Sequence, residues 1–108
     1  MISFVIPTLN EIDNIDKTVQ KIKQCFNNID DYEIIFVDDK SEDGSLEKII
    51  MLSKNNTNIN YCIPPKRLGL GNALILGQKK TKGDYIFFLD CDNSINISNL
   101  LKLIKSIR

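Results

Sequence analysis

Four short apolar runs alternate with segments of helical periodicity along this chain of 108 residues. The runs occupy residues 3–7, 32–37, 59–63 and 85–89. They are rich in β-branched and aromatic residues and are bounded by turn-forming residues, as is typical of β-strands. Strands that alternate strictly with helices form mainly parallel sheets with right-handed crossovers. The sequence therefore predicts an α/β fold in the order βαβαβαβα, with helices on both faces of a mainly parallel sheet.

The segments between and after the predicted strands carry apolar residues at helical spacing. They lie at residues 12–26, 46–52, 70–80 and 97–107. The first helix has Asn10, Asp13 or Asn14 available as its N-cap. The last helix has Asn96 or Ser98 near its start. Four helices are therefore expected, one after each strand.

Polar residues follow three of the four predicted strands. Residues 7–11 follow the first strand, Asp38 and Asp39 follow the second, and Asp90 and Asp92 follow the fourth. The carboxyl ends of parallel strands meet at one rim of a sheet, where ligands bind in open α/β folds. These polar groups are therefore expected to converge although they are far apart in sequence.

The last of these groups is an Asp-x-Asp pair at the end of the apolar run 85–89, a strand that is expected to be buried in the middle of the sheet. Side chains alternate along a strand, so Asp90 and Asp92 are expected on one side and Cys91 on the other. Two carboxylates on one side suit a divalent cation that holds a diphosphate. A polar turn that caps the next helix is the structural alternative for such a pair by itself.

Composition excludes several classes of function. The 14 basic and 14 acidic residues give a formal net charge of zero and are interspersed, so no basic face for nucleic acid or an anionic membrane is expected. Three cysteines without any histidine argue against a disulfide framework or a zinc site. The apolar runs are too short to cross a membrane, and the first residues lack the pattern of a signal peptide, so a cytoplasmic chain is expected.

Four segments match one protein family in order and spacing. They are Val-Ile-Pro-Thr-Leu-Asn-Glu at residues 5–11, Val-Asp-Asp-Lys-Ser-Glu-Asp-Gly-Ser at 37–45, Arg-Leu-Gly-Leu-Gly-Asn-Ala at 67–73 and Leu-Asp-Cys-Asp at 89–92. With them the chain resembles the family 2 glycosyltransferases of the GT-A fold, most closely the dolichol-phosphate or polyprenyl-phosphate mannosyltransferase branch. The resemblance covers nearly the whole chain. It implies that residues 1–108 are a single, partial domain, the N-terminal half that binds the donor.

The resemblance also implies which residues bind a nucleotide-diphosphate sugar. They are, in chain order, Pro7, Thr8, Asn10, Glu11, Asp38, Asp39, Arg67, Gly69, Gly71 and Asp90. Asp90 and Asp92 are implied as the ligands of Mg2+ or Mn2+. Adjacent side chains on a strand point opposite ways, so only one of Asp38 and Asp39 is expected to contact the nucleoside. Asp39 is the favoured residue. No catalytic base is visible, and the resemblance implies one beyond Arg108.

The implied reaction transfers a sugar from GDP-mannose or a UDP-sugar to a polyprenyl-phosphate or polysaccharide acceptor, with inversion at the sugar carbon. The alternative is a catalytically incomplete fragment that binds nucleotide sugar, or one half of a split enzyme. The expected location is the cytoplasm. Peripheral association with the cytoplasmic face of a membrane, through a further segment or a partner chain, is left open.

Two other folds that handle phosphates or nucleotides fit the sequence less well. The pair Asp38 and Asp39 is similar to the acidic pair of receiver domains, but there the pair follows the first strand, whereas here it follows the second. A Rossmann dehydrogenase needs glycines after the first strand, and residues 8–12 contain none.

Overall fold

A parallel β-sheet forms the centre of the fold. The computed structural model describes residues 1–65, 70–92 and 96–107. Within them the strands are β1 (Ile2–Thr8), β2 (Tyr32–Asp38), β3 (Ile59–Cys62) and β4 (Tyr85–Phe88), and the helices are α1 (Ile12–Lys23), α2 (Ser45–Asn55), α3 (Leu70–Gln78) and α4 (Ile97–Ser106). A short 3-10 helix at Ile29–Asp31 precedes β2. The predicted alternation of strands and helices is confirmed.

The strands lie in the order β3-β2-β1-β4, and each neighbouring pair is parallel. β1 and β2 pair over their whole length, from Ile2 opposite Tyr32 to Thr8 opposite Asp38. Nearly every residue of these two strands is buried. Because their last residues are in register, the loops that leave β1 and β2 begin side by side on the same rim.

Helices cover both faces of the sheet, as predicted. On one face, alternate strand residues such as Phe4 and Phe36 pack against α1, α2 and α4. On the other face, Val5 and Val37 pack against α3. The period of two along β1 and β2 thus divides the apolar residues between two cores. None of the described helices is both long enough and apolar enough to cross a membrane.

Glycine at position 77 allows α3 to lie directly on the sheet. A Cβ added there would lie 2.8 Å from Cγ2 of Val37 and closer still to Cγ1 of Val5. Atoms in a close-packed core cannot approach so closely, so a larger residue would push the helix away from β1 and β2.

β4 lies at an edge of the sheet. Tyr85 is 48% exposed and Phe88 is 47% exposed, so the predicted burial of this strand is wrong for the described part of the chain. The physical reason is its position: β4 pairs with β1 on one side only, and α3 packs mainly over β1 and β2. An apolar strand thus keeps a free edge here.

The start of α1 is capped by another part of the chain. Its N-cap residue is Glu11, whose side chain makes no capping hydrogen bond. Instead, Asp43 Oδ2 accepts a hydrogen bond from the backbone N–H of Ile12 at 3.1 Å. None of the three predicted N-cap residues fills this role. At α4 the prediction is confirmed, because the Asn96 side chain accepts a hydrogen bond from the N–H of Asn99 at 3.2 Å.

A buried polar group of residues, here named the amino-end network, lies where β1 and β2 begin. Ser3 Oγ donates a hydrogen bond to Glu33 Oε2 at 2.6 Å and accepts one from the N–H of Gly83 at 2.9 Å. Glu33 also accepts a hydrogen bond from the N–H of Lys82 at 2.5 Å. The network ties β1 and β2 to the turn before β4 and gives a buried carboxylate its partners.

Candidate functional site

A cavity opens at the carboxyl-end rim of the sheet. It has a volume of about 410 Å3 and is lined by Pro7, Thr8, Leu9, Glu11, Val37, Asp39, Ala73, Asp90, Cys91 and Asp92. These residues belong to β1, β2 and α3 and to the segments that follow β1, β2 and β4. Polar residues that follow three separate strands therefore meet in one space, as the parallel order predicts.

Asp39 lines this cavity and has a buried carboxylate oxygen. Its Oδ1 has almost no access to solvent and no hydrogen-bond partner among the described residues. Its backbone N–H donates to the carbonyl of Thr8 at 2.9 Å, which holds the residue against the end of β1. A buried carboxylate oxygen without a donor is unfavourable, so this atom marks a place where a bound ligand can supply one.

Asp38 faces the interior and does not line the cavity. It is 0% exposed. Its Oδ1 accepts hydrogen bonds from Thr8 Oγ1 at 2.8 Å and from Ser41 Oγ at 2.7 Å, and its Oδ2 accepts one from the N–H of Ser41 at 2.8 Å. The structure therefore uses Asp38 to hold its own loop and presents Asp39, the residue favoured from the sequence, to the cavity.

Asn10 also lies outside the cavity lining. Its backbone is left-handed, with φ of +55°. Its N–H donates to Ser41 Oγ at 2.9 Å, and its Oδ1 accepts a hydrogen bond from the N–H of Glu42 at 2.9 Å. The side-chain oxygen that the resemblance offers to a base or ribose is thus engaged within the protein, where it joins two loops.

Glu11 lines the cavity from the start of α1. Its Oε2 accepts a hydrogen bond from Asn14 Nδ2 at 2.9 Å, and its N–H donates to Ser45 Oγ at 2.9 Å. These contacts hold the residue in place at the helix start and beside the cavity. Glu11 therefore both precedes α1 as its N-cap residue and borders the cavity.

Asp90 and Asp92 follow β4, and both line the cavity. Cys91 between them is 3% exposed, belongs to the core, and has its Sγ 3.8 Å from Thr18 Oγ1. The pKa of the Cys91 thiol is raised to about 11, chiefly by burial. The hydrogen bond with Thr18 lowers this pKa, and the charges of Glu11 and Asp92 raise it. The thiol is thus neutral near pH 7, and Asp90 and Asp92 offer the carboxylate oxygens of this segment.

The carboxylate pair fits a cation that arrives with its own ligands. Residues 1–65, 70–92 and 96–107 contain no cluster of three or more His, Cys, Asp or Glu side chains placed to hold a metal ion. Asp90 and Asp92 offer carboxylate oxygens, which suit Mg2+ and Mn2+. Mg2+ is usually bound through one or two carboxylates together with substrate phosphates and waters. The donor set is therefore adequate for a metal–diphosphate complex.

The glycine-rich segment is described only from its end. Arg67 and Gly69 lie outside the described residues. Gly71 belongs to α3 but does not line the cavity, and a Cβ added there would meet nothing within 4 Å. Ala73 is buried and does line the cavity. In the described part of this segment, a small side chain of α3 rather than a glycine borders the site.

Ser41 and Ser45 organise the site although the sequence does not single them out. Each accepts a hydrogen bond from the backbone of the loop that leaves β1. Ser41 follows Asp38 closely, and Asp side chains in turns commonly accept hydrogen bonds from backbone N–H groups shortly ahead of them. That proximity is the sequence signal that could have identified Ser41.

Residues 3–108 match the family described as "Glycosyl transferase family 2". The chain belongs to this family. A relative of this family 2 chain, the dolichol-phosphate mannosyltransferase of Pyrococcus furiosus, is 33% identical over 107 residues, which are 99% of this chain and 30% of that protein. The predicted resemblance to the mannosyltransferase branch is confirmed. The family 2 chain spans about a third of the length of this relative.

Solved structures share the fold of the family 2 chain. S. aureus TarS in complex with UDP-GlcNAc has a TM-score of 0.81 at 23% identity, over 98% of this chain and 30% of that one. A Pyrobaculum calidifontis mannosyltransferase in complex with GDP-Man and Mn2+ has a TM-score of 0.78 at 20% identity, over 96% of this chain and 31% of that one. Mycobacterium tuberculosis glucosyl-3-phosphoglycerate synthase, in complex with Mn2+, UDP and glucosyl-3-phosphoglycerate, has a TM-score of 0.67 at 28% identity. The match covers 85% of this chain and 33% of that one. The predicted GT-A type of α/β fold is confirmed.

Proposed function

We propose that residues 1–108 form a single, partial GT-A domain that binds the donor of a glycosyltransferase. The donor is a nucleotide-diphosphate sugar that occupies the cavity at the carboxyl-end rim. The observation that carries the proposal is that Asp39, which has a buried carboxylate oxygen without a described hydrogen-bond partner, lines the same cavity as the pair Asp90 and Asp92. The buried oxygen of Asp39 needs a hydrogen-bond donor, and the carboxylates of Asp90 and Asp92 suit a cation. A nucleotide diphosphate with its metal ion supplies both.

The nucleoside part of the donor lies against the loops after β1 and β2 in this proposal. Asp39 accepts a hydrogen bond from a ribose hydroxyl or a base N–H, which gives its buried oxygen a partner. Glu11 offers a second acceptor, and Pro7 and Thr8 form the wall of the cavity. Asp38 acts by holding the loop and does not touch the donor.

The diphosphate lies toward α3 and the segment after β4. Asp90 and Asp92 hold Mg2+ or Mn2+, and the Mn2+ in two of the similar solved structures supports this choice of metal. When bound, the cation neutralises the charge that develops on the departing diphosphate. Arg67, Gly69 and Gly71 are proposed near the diphosphate on the strength of the family resemblance.

The acceptor is proposed to be a polyprenyl phosphate, because the sequence is 33% identical to that of a dolichol-phosphate mannosyltransferase. The second pKa of a phosphate monoester is about 6, so this acceptor is already largely ionised at neutral pH and needs no strong general base. The same relative favours GDP-mannose as the donor, with a UDP-sugar and a polysaccharide acceptor as the other option. A lipid acceptor would bring the chain to the cytoplasmic face of a membrane.

Titration calorimetry tests the donor site. GDP and UDP are titrated into the chain with and without Mn2+, and the titrations are repeated with Asp90→Asn/Asp92→Asn. A control variant, Asp13→Asn/Glu47→Gln, removes the same charge from two exposed side chains on α1 and α2. The proposal expects Mn2+-dependent binding that the first variant loses and the control keeps.

Two results would count against the proposal. A folded chain that binds neither nucleotide contradicts the donor site, and equal loss of binding in both variants contradicts the role of Asp90 and Asp92. A transfer assay with labelled nucleotide sugar and polyprenyl phosphate then separates the two functions that remain. Labelled lipid indicates the transferase, whereas binding without transfer favours the alternative, a catalytically incomplete module or one half of a split enzyme.

A further inference from the structure

Two loops that border the cavity are bonded into one unit. Loop 1 is residues 8–12, after β1, and loop 2 is residues 38–45, after β2. At the strand ends, Thr8 Oγ1 donates a hydrogen bond to Asp38 Oδ1 at 2.8 Å. Further along, the N–H of Glu11 donates to Ser45 Oγ at 2.9 Å, and the N–H of Ile12 donates to Asp43 Oδ2 at 3.1 Å. Contacts of this kind involve Thr8, Asn10, Glu11 and Ile12 of loop 1, so neither loop is anchored by its own residues alone.

Ser41 is the central residue of this unit. Its hydroxyl accepts a hydrogen bond from the N–H of Asn10 at 2.9 Å and donates one to Asp38 Oδ1 at 2.7 Å. Its own N–H donates to Asp38 Oδ2 at 2.8 Å. The neighbouring Glu42 N–H then donates to Asn10 Oδ1 at 2.9 Å. One buried hydroxyl therefore connects the two loops and the fully buried carboxylate beneath them.

The unit holds the backbone in conformations that it would not readily adopt by itself. Asn10 has φ of +55° and Lys40 has φ of +59°, in the left-handed region that is unfavourable for residues other than glycine. Lys40 lies between Asp39 and Ser41, so the backbone on both sides of it must be held. Such conformations persist only where the surroundings determine them.

We infer that Ser41 is a positioning residue of the donor site: its hydroxyl locks loop 1 to loop 2 so that Asp39 and Glu11 face the cavity before any ligand binds. This inference rests on the proposed function. A site that is ordered in advance avoids the loss of loop freedom on binding, so its affinity is higher for the same contacts. Ser41 itself does not line the cavity and acts through Asp38 and Asn10, which precede Asp39 and Glu11 in the chain.

The amino-end network provides a matched control within the same chain. Ser3 Oγ, like Ser41 Oγ, is buried, accepts from a backbone N–H and donates to a carboxylate. It lies near the other end of β1, away from the cavity. Ser3→Ala and Ser41→Ala thus remove equivalent hydroxyl groups, and only the second is connected to the donor site.

The test uses three proteins: the unchanged chain, Ser41→Ala and Ser3→Ala. Urea unfolding gives their stability, calorimetry with GDP and UDP in the presence of Mn2+ gives affinity, and NMR hydrogen exchange of the free chains follows the N–H groups of Asn10, Asp39 and Glu42. A hydrogen bond of ordinary strength corresponds to a change in affinity of about three- to tenfold. Ser41→Ala is therefore expected to weaken nucleotide binding by that factor and to speed exchange at these three N–H groups.

Ser3→Ala is expected to lose a similar amount of stability while its affinity and the exchange at those N–H groups stay unchanged. The inference is overturned if folded Ser41→Ala exchanges or binds like the unchanged chain, or if Ser3→Ala weakens binding as much. If the unchanged chain binds neither nucleotide, it is the proposed function that fails. Exchange in the free chains then decides by itself whether Ser41 locks the loops.

Discussion

The carboxylates of Asp38 and Asp39 are adjacent in sequence but have opposite environments. Asp38 is fully buried, and both of its carboxylate oxygens accept hydrogen bonds, which Thr8 and Ser41 donate. Asp39 has one buried oxygen that no described residue reaches. The first carboxylate therefore serves the fold and the second is available to a ligand.

Alanine at each position should separate these two roles. Asp39→Ala removes a group whose burial is unfavourable, so the free energy of unfolding should stay the same or rise slightly. A hydrogen bond to a charged acceptor contributes about 1.5–3 kcal/mol, so the Kd for nucleotide should rise about ten- to a hundredfold. Asp38→Ala should instead lower the free energy of unfolding by about 2–4 kcal/mol, because it leaves its buried donors without an acceptor. Urea unfolding and calorimetry measure both quantities, and greater destabilisation by Asp39→Ala would contradict this assignment.

The glycines of α3 should differ in their tolerance of alanine. At Gly77 an added Cβ would lie 2.8 Å from Val37 and closer to Val5, so Gly77→Ala should lower the free energy of unfolding by about 1–3 kcal/mol. At Gly71 an added Cβ meets none of the described residues within 4 Å. Gly71→Ala should therefore be neutral or stabilise the helix by up to about 1 kcal/mol. Urea unfolding of both variants checks this, and equal effects would show that α3 does not lie as close to the sheet as described.

The sequence predicts the element order because its signals are local. Periods of two and of about 3.6 residues are set by neighbouring residues, and they place all four strands and all four helices correctly. The convergence at the rim follows from parallel strands alone. Alternation also predicts that Asp38 and Asp39 point opposite ways, and the structure shows this division, since Asp38 is buried and Asp39 lines the cavity.

The remaining features depend on contacts between distant segments. Asp43 caps α1 although it is 31 residues away from Ile12 in sequence, and no local pattern around α1 indicates it. Ser41 bonds to Asn10 across a similar separation. The edge position of β4 depends on which strands and helices cover it, whereas its apolar composition suggests a buried strand. These features require the tertiary structure.

The stability of the two loops should depend on pH on the acid side. The pKa of Asp43 lies below its usual value of 3.8, chiefly because of the hydrogen bond from the Ser45 side chain. Desolvation raises this pKa, and the N–H groups of Ser45 and Ile12 lower it further. The Asp43 carboxylate therefore binds a proton more readily in the unfolded chain than in the folded chain. The stabilisation is present above pH 3.8 and is lost as the pH falls through the lower folded value. Asp43→Asn should flatten the acid limb of a plot of unfolding free energy against pH, and an unchanged slope would contradict the assignment.

The exposed edge of β4 should make the chain associate with itself. Tyr85 and Phe88 are 48% and 47% exposed on a strand that pairs with β1 alone among the described strands, and such apolar edges pair with other chains. Tyr85→Lys/Phe88→Lys should reduce concentration-dependent association in sedimentation velocity, because charged side chains disfavour pairing between edges. Met51→Lys/Ile75→Lys is the control, since these helix residues are 56% and 54% exposed and the added charge is the same. If both pairs of substitutions reduce association equally, general surface charge and not the β4 edge is responsible, whereas a selective effect of the β4 pair identifies the edge as the contact.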